Sequence, residues 1–347
     1  MNRYDYIDIS KGIGILMVVW AHIMLAGWTH QMIYAFHMPL FFLLSGMLFR
    51  REKYASFGGF LAHRAKRLLI PYVIYSVATW VIWAAFRYLR HDEVDSYLMP
   101  LLQTFIARGS GAFFVHNSAL WFIPCLFLVE ILYFNICKLG RWGCLITCFA
   151  CASLSFVLGV FYGDCYWFML PWNADAALIA LPFYSVGNMM TREIGHERIV
   201  KSVTKNKLWS VVIFFIMTVV LFWSSTSFGE CSMGSSSYGC QGWVFLLRAF
   251  LGCAWLILLS LLIQTIEWNG WPVRYLKWAG INSLDIMCLH IPVKGICMIL
   301  VAMIIKMTVD DISVSELYSF YAFVPTMIIV WLCIRIFPVG TIIRNFL

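Results

Sequence analysis

The sequence predicts an all-α, polytopic integral membrane helix bundle of about ten transmembrane helices, with both termini cytoplasmic. Three observations predict it. First, 62% of the 347 residues are hydrophobic and only 12% are charged, with a mean hydropathy of +0.82, which excludes an ordinary soluble protein. Second, apolar segments of nearly 20 residues recur, about the length needed to cross the hydrocarbon. Inside lipid every backbone amide must be satisfied internally, so such segments are helical, and the strand alternation of a barrel is absent. Third, the positive charges are asymmetric. With the N-terminus placed in the cytoplasm, 19 of the 25 lysines and arginines fall on inner segments, while Arg248 and Lys294 fall within spans. This is the positive-inside pattern.

The predicted spans run over roughly 11–29, 31–49, 68–89, 119–137, 142–160, 174–190, 208–225, 243–264, 281–305 and 316–337. The stretch 100–116 is apolar but short, and reads as a re-entrant or interfacial piece or as an eleventh element. The first apolar run is too long for a signal peptide and shows no clear cleavage site, so it reads as the first helix. The connections at about 50–67, 90–99, 191–207 and 226–242 are too short to build cores of their own. The chain therefore reads as one membrane domain over 1–347. Its net charge of +8 lies mostly on the cytoplasmic side, where it orients the chain and meets anionic lipid. No nucleic-acid motif is present. Cysteines lie mostly singly within spans, where they act as small apolar residues. Cys148 and Cys151 form a CxxC on an apolar helix, a poor setting for redox or zinc chemistry, and no metal site is expected. Cys231 and Cys240 flank a Ser/Gly-rich loop and would suit a disulfide on an oxidising side.

Ionisable residues within the spans carry the functional expectation, because such groups are costly in lipid and pair or do chemistry. His22 lies in the first span. Lys11 precedes it by 11 residues, close to three helical turns, so both face one way, Lys11 at the cytoplasmic mouth and His22 about 16 Å further on. Asp8 lies three residues before Lys11 and can pair with it. His37, in FHMPLFFLLSG, falls at a depth similar to His22. Pro39 bends that span, and Ser45 and Gly46 allow close helix approach. In HRAKRLLIPY, Arg64 and Arg67 share a face if helical and suit a phosphorylated ligand, although a basic cluster before a span also sets topology. In NSLDIMCLHIPVK, Ser283, His290 and Lys294 form one stripe, and the buried lysine needs a partner or a wet cavity. Asp175 and Arg248 are further intramembrane charges that line the same cavity or pair structurally. Trp121, opening LWFIPCLFLVE, suits a sugar ring or an interfacial aromatic belt.

Five stretches in order, IDISKGIGILMVVWAH, FHMPLFFLLSGMLF, HRAKRLLIPY, LWFIPCLFLVE and NSLDIMCLHIPV, resemble the acyltransferase-3 family of bacterial membrane acyltransferases. Within that family the chain looks closest to the fucose-4-O-acetylase-like branch. The resemblance implies an O-acyltransferase of the bacterial plasma (inner) membrane. It would move an acetyl group from acetyl-CoA to a hydroxyl of a sugar or of a lipid-linked or cell-surface polysaccharide precursor. It implies His22 as a catalytic residue and Arg64 and Arg67 as donor-binding residues, with Lys11 where many relatives carry Arg. To this set the residue reading adds His37 as a second catalytic candidate and Asp8, Trp121, His290 and Lys294 as candidates for substrate contact. The expected partners are the glycan acceptor and the lipid bilayer, with homo-oligomers allowed. The rival reading is a transporter or flippase for a small polar or glycan substrate. Intramembrane His, Lys, Arg and Asp suit that too, but no inverted repeat is visible.

Overall fold

The computed structural model describes residues 4–109, 115–162, 170–238, 242–266 and 270–340. Fourteen α-helices follow in order among these residues: α1 (Asp5–Ile23), α2 (Trp28–Leu48), α3 (Phe57–Leu89), α4 (Met99–Ile106), α5 (Phe122–Ile136), α6 (Gly140–Tyr162), α7 (Ala174–Met189), α8 (His196–Lys205), α9 (Lys207–Ser227), α10 (Gly242–Gln264), α11 (Trp271–Ile281), α12 (Ser283–Ile305), α13 (Val309–Val314) and α14 (Glu316–Ile336). Each of the ten predicted spans falls on one of them. Eight helical stretches are long and apolar enough to cross a membrane, one of which, Ser118–Gly159, contains both α5 and most of α6. The chain is a multi-pass membrane protein. The helix α7, with 16 residues, is shorter than these but continues into a π-helical turn over Met190–Ile194.

Three features differ from the sequence reading. The basic stretch before the third span is not a connection. Ser56 caps the Gly59 amide, and one helix of 33 residues runs unbroken from Phe57 to Leu89, about 50 Å at 1.5 Å per residue. Arg64 and Arg67 are therefore helical and share a face. The segment at about 191–207, read as a connection, forms the short helix α8, and the stretch between the predicted spans 243–264 and 281–305 forms α11. Among the described residues, the apolar stretch at 100–116 contributes α4, which ends at Ala107 in the left-handed conformation.

Two glycine pairs bring the central helices together. A Cβ at Gly46 would lie 2.0 Å from the Tyr184 carbonyl oxygen, and one at Gly187 would lie 2.1 Å from that of Leu43. The pair lets α2 and α7 touch backbone to backbone, as Gly46 led one to expect. The same reciprocity joins α1 to α11, where Gly12 meets the Leu276 carbonyl and Gly280 meets that of Asp8. The helices α9 and α14 stay on the outside. Leu208, Trp209, Phe215, Val219, Leu317 and Ile328 are all exposed there, as lipid-facing residues should be.

Prolines inside helices remove a donor from the ladder and free the carbonyl four residues back. Pro292 lies within α12, and the Cys288 carbonyl accepts from Asn117 Nδ2 at 2.6 Å. That loop residue is wholly buried, so the gap is repaired from outside the helix, as lipid requires. The loops around Asn117 form a cap opposite the Lys11 end of α1. Arg108 pairs with Asp175 at 2.5 Å, Ser236 donates to the same carboxylate, and Asn173 joins Gly109 to the Gly234 carbonyl. Asp175 is thus paired structurally. Arg248 donates to the Gly229 carbonyl at 3.2 Å. Neither borders the cavities described next. Cys240 lies outside the described residues.

Candidate active site

Two cavities lie end to end inside the bundle. The larger, of about 770 Å³, opens among the basic residues at the Lys11 end. Lys11 of α1, Arg64 and Arg67 of α3, and Arg50, Lys53 and His63 border it. The smaller, of about 270 Å³, is bordered by His22, Tyr34, His37, Lys294 and Trp121, with Ser232 and Gly234 from the capping loops. Three helices thread both. The helix α1 places Lys11 in one and His22 in the other; α2 does the same with Ser45 and His37, and α12 with Ser283 and Lys294. The 11-residue spacing sets the distance between the two sites at about 16 Å along α1.

In the larger cavity Arg64 is already engaged. Its Nε and Nη2 form a two-pronged pair with the two carboxylate oxygens of Glu130 on α5. Glu130 is buried, with 1% of its surface exposed, and an Arg fork matches a carboxylate in this way. Beside the pair, the Tyr184 hydroxyl is buried without a hydrogen-bond partner among the described residues. Arg50 is held by the Met47 and Phe49 carbonyls and lies near His196. Arg67 is exposed and borders the same cavity. Lys11, Lys53 and Arg67 thus add positive charge around this cavity, while the charge of Arg64 is matched by Glu130.

In the smaller cavity hydrogen bonds fix how the histidines present themselves. His37 Nδ1 lies 2.9 Å from the Ile33 carbonyl oxygen, and a carbonyl only accepts. Nδ1 therefore carries the hydrogen, and Nε2 keeps its lone pair in the neutral ring. His290 repeats the arrangement, with Nδ1 2.9 Å from the Met287 carbonyl. Its Nε2 is buried without a partner among the described residues. The His290 ring sits 5.1 Å from that of His22, behind the cavity rather than on its wall. His22 Nδ1 lies 3.4 Å from the Tyr34 hydroxyl. Lys294 reaches the main-chain carbonyl of His22. Trp121 borders the cavity while Gly109 and Gly234 press on its indole at distances no side chain would allow. Asp8 borders neither cavity; its carbonyl faces Gly280 on α11.

A cavity rich in cationic side chains thus lies next to one lined by histidines, with Met287 bordering both. The family model described as an acyltransferase domain, acyltransferase-3, matches residues 4–344. The chain belongs to the acyltransferase-3 family. It is a membrane acyltransferase. No curated protein and no solved structure gives a significant match. Of the residues that sequence reasoning singled out, the structure groups Lys11, Arg64 and Arg67 around one cavity and His22, His37, Trp121 and Lys294 around the other, while Asp8 and His290 border neither. Sequence reasoning missed Glu130, Tyr34 and Tyr184. Glu130 stood in a quoted motif, and a carboxylate in an otherwise apolar span was the available signal.

Proposed function

We propose that this acyltransferase moves an acetyl group from acetyl-CoA to a hydroxyl of a sugar or cell-surface polysaccharide precursor, at the bacterial plasma membrane. The observation that carries the reading is α1 itself, which presents a cation to the larger cavity and a histidine to the smaller. The donor's phosphates bind at the rim, against Arg67, Lys53 and Lys11, where guanidinium and ammonium groups match them. Its thin arm runs inward between α1, α2 and α12. The acceptor hydroxyl lies in the smaller cavity.

His22 takes the hydroxyl proton as the oxygen attacks the thioester carbonyl, a contribution of about 10²–10⁴-fold for a positioned base. The C–S bond then breaks, the ester forms, and His22 returns the proton to the thiolate. Protons and electrons balance without any co-reactant. Lys294 supplies positive charge for the tetrahedral oxyanion. His37 presents a lone pair at Nε2, which suits it to hold the acceptor hydroxyl rather than the oxyanion.

The test is acetyl transfer from radiolabelled acetyl-CoA in membranes containing wild type or His22→Ala at equal protein levels, with host glycans as acceptor. Label in glycan with wild type and not with the variant is the expected result. Equal labelling by both would remove His22 from the reaction. Failure of purified wild type to bind acetyl-CoA would overturn the donor assignment.

A further inference from the structure

We propose that Met287 is a gate between the two cavities, and that its side chain sets which acyl groups pass and how much water follows them. The inference rests on the donor and acceptor cavities assigned above. Among the described residues, Met287 is the one that borders both cavities. The residue is 2% exposed, and it shares the lining of the larger cavity with Phe41 and Phe122 and that of the smaller with Val18 and Met38.

The backbone under this side chain is held from two directions. The Met287 carbonyl accepts from His290 Nδ1 at 2.9 Å. The next carbonyl, that of Cys288, is freed by Pro292 and is taken by Asn117 at 2.6 Å. Methionine is unbranched, with three rotatable bonds. A flexible side chain on a fixed backbone can swing aside for a thin thioester arm without moving α12. The Phe41 and Phe122 rings, 6.0 Å apart at centroids, add stiff apolar surface to the larger cavity, which the flexible Met287 also borders.

The chemistry requires a barrier here. If the cavities were joined permanently, water from the acceptor side would reach the thioester and yield acetate and the free thiol of CoA. A closed methionine suppresses that loss, and its reach limits the acyl chain that fits beyond it. One methylene in an apolar pocket is typically worth about 10–200-fold in discrimination.

The experiment uses the purified full chain in lipid nanodiscs. Free thiol release from acetyl-CoA and butyryl-CoA is followed without acceptor, and acetyl transfer is followed with host membrane glycan. Binding of CoA is measured separately, for wild type and for Met287→Ala, Met287→Leu and Met287→Trp. Met287→Ala is expected to raise acceptor-free release about 10-fold and the butyryl-to-acetyl ratio by a similar factor. Met287→Leu stays within about 3-fold of wild type, as a volume-conserving change should. Met287→Trp keeps CoA binding and loses transfer by about 100-fold or more. Wild-type release and selectivity in Met287→Ala, or wild-type transfer in Met287→Trp, would overturn the gate while leaving the proposed function intact. Should Met287→Trp fail to fold, the alanine and leucine pair decides alone. Wild type that neither binds nor cleaves acetyl-CoA would sink the proposed function, and the gate with it.

Discussion

The Lys294 ammonium donates to the main-chain carbonyl of His22 at 2.5 Å. That carbonyl is one of the last in α1, which ends at Ile23 and leaves its final acceptors without helical partners. A cation at a helix C-terminus is favourable there. The bond ties the position of the proposed base to α12 while leaving the ammonium on the cavity wall. Loss of the charge should therefore affect both stability and rate. Lys294→Met is expected to lower kcat by about 10²–10³-fold, as for loss of an oxyanion donor, with little change in KM for acetyl-CoA. Lys294→Arg should recover part of the rate. Initial rates at saturating donor check this, and a wild-type kcat in Lys294→Met would leave Lys294 a helix cap and nothing more.

The Arg64–Glu130 pair makes a different prediction from the one a phosphate-binding arginine would make. Removing one partner of a buried pair leaves an uncompensated charge, at a cost of about 3–5 kcal/mol. Arg64→Ala and Glu130→Gln should each lower the melting temperature in detergent. Arg64→Met combined with Glu130→Leu should recover much of it, because apolar replacement of both partners is often neutral. Arg67 is exposed, so Arg67→Ala should leave the melting temperature near wild type and raise KM for acetyl-CoA about 10-fold, with kcat held. If instead Arg64→Ala kept full stability and raised only KM, donor binding would be the main role of Arg64.

These residues also show what a sequence can and cannot display. The ten spans were legible because length and hydropathy are local properties. The Lys11–His22 register was legible because 11 residues close almost three turns, and the two cavities lie at those two depths. The Arg64–Glu130 pair was not, since it joins α3 to α5 across 66 positions of sequence. Arg108 and Asp175 meet across 67, so periodicity could leave Asp175 only as an unassigned charge. Met287 falls in sequence on the same stripe as Ser283, His290 and Lys294, and only the meeting of two cavities distinguishes it. The helices α8 and α11 were hidden because each is too short and too polar to register as a span.

The crossing of α2 over α7 predicts sensitivity at two small residues. A Cβ at Gly46 or Gly187 would lie within about 2 Å of a facing backbone carbonyl oxygen, which a side-chain rearrangement cannot relieve. Gly46→Ala and Gly187→Ala should each destabilise by at least the roughly 1–3 kcal/mol typical of overpacking, and should broaden the elution profile of the purified protein. Gly58→Ala, where nothing lies within 4 Å, is the control. A melting temperature for Gly46→Ala equal to that of the control would show that α2 and α7 lie further apart.

His196 makes the fold sensitive to acid at the basic end of the bundle. It opens α8, outside the spans, with its ring 3.7 Å from that of Tyr4. Arg50 Nη2 donates to Nε2 at 3.4 Å, so Nδ1 carries the hydrogen and donates to the Tyr6 hydroxyl at 2.7 Å. Protonation would set a second N–H against the Arg50 guanidinium. Burial, and after it the Arg50 charge, lower its pKa from the usual 6.5 to about 4. The unfolded chain then binds more protons than the folded one between those values, so stability falls as pH drops from about 6.5 towards 4 and is level above that window. At pH 5 the loss is at most about 2 kcal/mol, and solvent screening at this end of the bundle reduces it. His196→Asn keeps a polar side chain without titrating. Its melting temperature is expected to change less between pH 7 and pH 5 than that of wild type. Parallel curves for the two proteins would show that another group carries the acid sensitivity.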